Sequence, residues 1–145
     1  MPNAFIDTNI LVYAAEEVTP LPRKTVIARE LLRQPGLCLS VQVLSEFTVN
    51  ARNPRKLHFT PEQEGQWTRQ WLLFDVFPLS VDTFTQALAL HGRYQLSHWD
   101  SLIIASAQEA GCHTVFSEDL TSGQQYGTVT VVNPFGTEEP RDSLR

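Results

Sequence analysis

Ala4-Phe5-Ile6-Asp7-Thr8-Asn9-Ile10-Leu11-Val12-Tyr13 decides how this chain folds. Its opening residues are apolar without alternation, as in a strand buried on both faces. The segment then runs without a linker into a short helix, predicted over residues 8–15. Asp7 stands at the junction. A carboxylate beside apolar surroundings is costly unless it is paired, hydrogen-bonded or bound to a cation.

The same grammar repeats along the chain. Residues 23–34 read as a helix with Val26, Ile27, Leu31 and Leu32 on one face, stopped by Pro35-Gly36. Leu37-Cys38-Leu39 is a short strand, and Ser40 caps a helix over 41–52 carrying Val43, Leu44 and Phe47. Thr60-Pro61-Glu62-Gln63 has the form of a capping box with proline at the first helical position, opening a helix to about Leu72. Phe74 to Leu79 reads as a strand, Ser80 opens a helix to about Tyr94, and Ser97 opens another to about Ala110 before Gly111. Thr114–Phe116 and Val129–Val132 are the last expected strands.

Strands alternating with helices imply an α/β fold. The expected architecture is a three-layer sandwich whose central sheet is mostly parallel and about five-stranded. In such sheets ligands bind beyond the carboxyl ends of the strands, where strand order reverses. One domain over residues 1–136 is expected, followed by a charged, Pro-interrupted, flexible tail over 137–145.

The 145 residues suffice for a core without staples. No apolar run approaches the ~20 residues of a membrane span, and Met1-Pro2-Asn3-Ala4 does not open a signal peptide. A cytoplasmic protein away from membranes is expected. Cys38 and Cys112 read as core thiols or, alternatively, a disulfide, and neither has a zinc-ligand partner at the required spacing.

The net charge of −5 argues against casual nucleic-acid binding. Setting aside Asp7, Glu46, Asp100 and Asp119 leaves 12 of the 16 acids against 11 bases, close to neutral. Those four acids lie where buried segments end or helices start. Taken singly, each has a plain reading. Asp7 can cap a helix, Glu46 can be a solvated helix side chain, Asp100 can complete a Ser97-x-x-acid capping box, and Asp119 can be a turn residue that Glu118 replaces as the functional acid. Together they suggest a carboxylate cluster that binds a cation and acts on phosphate.

The surrounding stretches sharpen this. Phe5 to Ala14, Ser40-Val41-Gln42-Val43-Leu44-Ser45-Glu46-Phe47, Leu96 to Ala107 and Phe116-Ser117-Glu118-Asp119-Leu120 together resemble a PIN domain, and within that family the VapC-type toxins of bacterial toxin–antitoxin pairs. The resemblance implies a metal-dependent endoribonuclease with its site built from Asp7, Glu46, Asp100 and Asp119, and accessory polar roles for Thr8, Asn9 and Ser117. It also implies an RNA substrate, a small antitoxin partner and a homodimer. Hard oxygen donors suit one or two Mg²⁺ or Mn²⁺ ions. Asp7 and Asp100 are the first choice for direct ligation.

Arg52, Arg55 and Lys56 form a small basic cluster suited to RNA phosphate or, alternatively, to a solvated helix end. Trp99 is expected to pack on the sheet, and His98 adjoins the site through Asp100. An antitoxin is expected against Leu11, Val12, Val26, Ile27 and Leu31. The competing readings are a non-catalytic binding module on the same fold and a receiver-type signalling domain. The latter calls for a lysine near the last strands, whereas Lys24 and Lys56 both lie in the first half.

Overall fold

The computed structural model describes residues 3–17 and 22–136. Its elements run in chain order as β1 (Ala4–Ile6), α1 (Thr8–Ala15), α2 (Pro22–Leu31), β2 (Leu37–Ser40), α3 (Val41–Arg52), α4 (Pro61–Trp71), β3 (Asp75–Phe77), α5 (Val81–Tyr94), α6 (His98–Glu109), β4 (Thr114–Phe116), β5 (Gln125–Tyr126) and β6 (Val129–Val132). The expected tail, 137–145, lies outside the described residues.

The strands form one sheet in the order β3-β2-β1-β4-β6-β5. All neighbours are parallel except β5, which pairs antiparallel with β6. The sheet therefore has six strands rather than about five. β5 escapes the sequence because two residues, Gln125 and Tyr126, carry no period. Only their pairing with Thr130 and Val129 makes them a strand.

β1 is central because Phe5 and Ile6 are fully buried, with β2 on one side and β4 on the other. Chain order then determines the layers. The path β1 to β2 to β3 moves one way from the centre, and the path from β3 to β4 returns past β1. Right-handed crossovers put α1–α4 on one face and α5 and α6 on the other. The packing agrees: α1 lies against α2 and α3, α3 against α4, and α5 against α6. Strand order reverses between β1 and β4, so the ligand-binding crevice of such folds falls beyond Ile6 and Phe116.

The helix starts follow the expected chemistry. Ser40 Oγ accepts from Val43 N, and reciprocal capping boxes form at Thr60/Gln63 and Ser80/Thr83. Of the expected face of α2, Leu31 is buried and Ile27 and Leu32 pack against the core, and only Val26 turns away from it. Thr25, Ala28 and Leu31 are buried, whereas Val26 is 54 % exposed. Leu11 and Leu31 belong to the core and so are not free to line a groove for a partner. Cys38 and Cys112 are buried free thiols with Sγ atoms 3.3 Å apart.

Candidate active site

Asp7 caps α1 and lies buried where β1 ends. Its backbone N–H donates to Phe116 O at 3.0 Å, joining the ends of β1 and β4. Both carboxyl oxygens are engaged. Thr8 N donates to Oδ1 at 2.7 Å, and Ser117 Oγ donates to Oδ2 at 2.7 Å. Burial pushes the Asp7 carboxyl up to about 6. The bonds from Ser117 and Thr8 oppose that shift, and the charges of Asp119 and Glu46 add to it.

The other acids arrive from separate elements. Glu46 lies one turn along α3, where Thr8 Oγ1 donates to its Oε1 at 2.6 Å. Asp119 follows β4; Asn9 Nδ2 donates to its Oδ2 at 3.1 Å, and Asp119 N donates to Ser117 Oγ at 3.1 Å. Asp100 lies in the first turn of α6. Only half of the expected capping box forms there: Ser97 Oγ accepts from Asp100 N at 3.1 Å. The Asp100 carboxyl is raised by burial, opposed by the Ser97 hydroxyl, and raised further by Asp119 and Glu46.

All four acids line one cleft of about 1060 Å³, together with Thr8, Asn9, Gln42, Arg55, Lys56 and Trp99. Among the described residues, no three acidic, histidine or cysteine side chains are gathered tightly enough to enclose an ion as they stand. The acids ring the cleft and feel one another's charge without closing on a point. Their all-oxygen donor set, and the burial and like charge that disfavour the ionised Asp7 while no cation offsets them, fit a hard divalent cation.

Glu118 and Asp119 take different parts. Glu118 forms an ion pair with Lys24 and accepts from Tyr13 Oη at 2.7 Å. Its backbone N–H donates to Asn9 Oδ1 at 3.1 Å. Two partners from α1 and α2 thus hold its carboxylate, while that of Asp119 is held by Asn9 alone among the described residues. Thr8, Asn9 and Ser117 each bridge elements of the site.

The structure separates the residues that flank the acids. Arg52 does not line the cleft; its Nε and Nη2 donate to Glu64 at 2.8 and 3.0 Å, leaving Arg55 and Lys56 as the basic side chains there. His98 packs edge-on against Phe84 and Trp99, with ring centroids at 5.9 and 5.1 Å, away from the cleft lining. Trp99 does not pack on the sheet: it is 59 % exposed on the cleft wall.

Gln42 is a further residue of the site that no sequence pattern singles out. It is buried, and its Nε2 donates to Glu46 Oε2 at 3.1 Å and to Trp99 O at 3.2 Å. The first bond was open to view as an i, i+4 pair on α3; the second spans 57 positions and was not.

A PIN domain family model matches residues 4–121, covering all four acids. This chain belongs to the PIN domain family. Solved structures share the fold of this PIN domain. A toxin–antitoxin complex from Klebsiella pneumoniae is 23% identical with a TM-score of 0.68, covering 91% of this chain and 98% of that one. The Mycobacterium tuberculosis toxin VapC20, described as cleaving the sarcin-ricin loop, is 17% identical with a TM-score of 0.65, covering 81% and 92%. FitAcB from Neisseria gonorrhoeae is 18% identical with a TM-score of 0.62, covering 92% and 99%. A comparison with curated proteins gives no match.

Proposed function

We propose that this PIN domain is a metal-dependent endoribonuclease and the toxin of a toxin–antitoxin pair. The observation that carries the reading is the convergence of Asp7, Glu46, Asp100 and Asp119 from four separate elements on one cleft that also bears Arg55 and Lys56. Membership of a family that includes nucleases supports it, as does likeness in fold to toxin–antitoxin proteins. The strand order argues against the receiver-type alternative, because β1 here is flanked by β2 and β4 rather than β2 and β3.

Asp7 and Asp100 would hold Mg²⁺ or Mn²⁺ directly, with Glu46 and Asp119 completing the site for one or two ions. A bound cation of this kind supplies neutralisation of phosphate charge and eases deprotonation of the attacking water. The protein's own groups orient the reaction. Ser117 and Thr8 N–H fix the Asp7 carboxylate, and Thr8 and Gln42 fix that of Glu46 from opposite sides. Asn9 ties Asp119 to the start of α1. Arg55 and Lys56 attract and position the phosphate backbone. Hydrolysis by water leaves a 5′-phosphate and a 3′-hydroxyl.

Among the described residues no helix is long and apolar enough to cross a membrane. The reading places the protein in the cytoplasm with its RNA, as a homodimer that a small antitoxin holds inactive. The test is brief expression followed by sequencing of RNA ends, beside purified protein assayed with Mg²⁺, Mn²⁺ or a chelator. Metal-dependent cuts with 5′-phosphate ends, absent in Asp7→Asn, support the nuclease. Cyclic phosphate ends, or cleavage equal in Asp7→Asn, overturn it. No cleavage on any RNA would leave the non-catalytic binding module.

A further inference from the structure

We propose that Cys38 and Cys112 are a disulfide-forming site, closed by a small disulfide oxidant of the glutathione class. The inference is independent of the ribonuclease reading, because neither residue lines the acidic cleft. The chain has two cysteines, 74 positions apart. A single buried thiol needs no account beyond packing as a small apolar side chain. Here the fold brings both thiols of the chain to one point: their Sγ atoms are 3.3 Å apart and share a hydrogen bond. A disulfide holds its sulfurs at ~2.05 Å, so about 1.2 Å of approach remains, within reach of small side-chain rotations.

The two backbones differ in how firmly they are held. Cys38 is the second residue of β2, in register with Phe5 of β1 and Asp75 of β3. Cys112 stands in the connection between α6 and β4, flanked by exposed Gly111 and His113. β2 and β4 lie on either side of β1 and do not pair with each other. A bond between Cys38 and Cys112 therefore fastens the two neighbours of β1 across it. It does so toward the amino ends of the strands, whereas the acids gather beyond the carboxyl ends.

Both residues are buried, at 0 % and 1 % exposure, so the oxidant reaches them when the connection opens. Cys112 is met first, since β2 is paired on both edges and Cys112 lies between two exposed residues. The Cys112 thiolate attacks one sulfur of oxidised glutathione and expels a glutathione thiolate, leaving a mixed disulfide. The Cys38 thiolate then attacks the Cys112 sulfur and expels the second glutathione. The two protein thiols lose two electrons and two protons, and one oxidised glutathione becomes two reduced ones. The new bond closes a long loop of the unfolded chain, and restricting that chain stabilises the fold. Cytosolic thiols are ordinarily kept reduced. The pair is thus a staple that oxidation adds to the sheet and reduction removes.

The test equilibrates the full chain in glutathione buffers from fully reduced to fully oxidised. Samples are quenched, alkylated at free thiols in denaturant and measured by intact-mass spectrometry. Oxidation should give a monomer two hydrogens lighter with no alkylated cysteine. That form should melt roughly 5–15 °C above the reduced one, and dithiothreitol should reverse both changes. Cys112→Ser and Cys38→Ala should each lose the rise. Should either variant fail to fold, the wild-type masses decide alone. Two alkylated thiols at the oxidising end, in protein folded there or refolded there from denaturant, overturn the proposal. Glutathione adducts or disulfide-linked dimers in place of the internal bond overturn it as well, as does an internal bond whose melt is no higher than that of the reduced form.

Discussion

Ser117 Oγ donates to Asp7 Oδ2 at 2.7 Å, linking two residues 110 positions apart across the reversal point of the sheet. The same hydroxyl oxygen accepts from Asp119 N at 3.1 Å and Leu120 N at 3.3 Å. Ser117 thus orients one acid directly and fixes the turn that presents another. Ser117→Ala should leave a buried carboxyl oxygen unsatisfied, at a cost of about 1–3 kcal/mol in denaturant unfolding. It should also raise the Asp7 pKa further, since the bond it removes favours the ionised form. An unfolding midpoint equal to wild type would contradict this.

Asp7 gives the metal-free protein a pH dependence of stability. Its carboxyl titrates at about 6 in the fold against 3.8 ordinarily, so the folded state takes up the proton more readily than the unfolded chain. The associated stabilisation is complete below pH 3.8 and is lost as pH rises through about 6. The shift corresponds to about 3 kcal/mol. With a chelator present, this group should favour pH 5 over pH 7, and Asp7→Asn should flatten that part of the profile. Thermal melts across pH 4 to 7.5 measure it.

The cation should act with the opposite slope, because it requires the ionised acids. Mg²⁺ or Mn²⁺ should raise the melting temperature more at pH 7 than at pH 5. Asp7→Asn should abolish the rise together with RNA cleavage. An undiminished rise in the variant would place the ion elsewhere.

Glu118 and Asp119 should separate by variant. Asp119→Asn should reduce cleavage by about two orders of magnitude or more, the range lost with one group that stabilises transition-state charge. Glu118→Gln should cost mainly stability, because its carboxylate is occupied by Lys24 and Tyr13. The reverse ranking of cleavage rates would reassign the site.

Arg52 and Arg55 make a matched control. Arg55→Glu should weaken RNA binding and flatten its salt dependence by about 0.7 in log–log slope, one phosphate contact on a single strand. Arg52→Glu should leave that slope unchanged, since its guanidinium is held by Glu64 outside the cleft. Titrations at several salt concentrations distinguish them.

Much of the fold was legible because its signals are local. Thr60 with Gln63 and Ser80 at the head of α5 cap their helices through side chains only a few residues from the groups they satisfy. The uniform apolar character of Ala4-Phe5-Ile6 marks a strand covered on both faces, and it occupies the centre of the sheet. Elements that depend on distant partners were not legible. β5 exists only through β6, and the burial of Thr25 beside an exposed Val26 on α2 is set by what that helix packs against.

The sequence by itself determined the alternation of strands and helices and put forward Asp7, Glu46 and Asp100 as candidate acids, with Asp119 or Glu118 as the fourth. Chain order and side-chain chemistry are its direct content. Tertiary structure decided which of these groups work together. It tied Glu118 to Lys24 and Arg52 to Glu64, brought Gln42 to the backbone of Trp99, and left that indole in the cleft. The physical reason is range. A cap or a buried strand is settled within a few residues, whereas the fate of a charge or an aromatic ring depends on which distant element reaches it first.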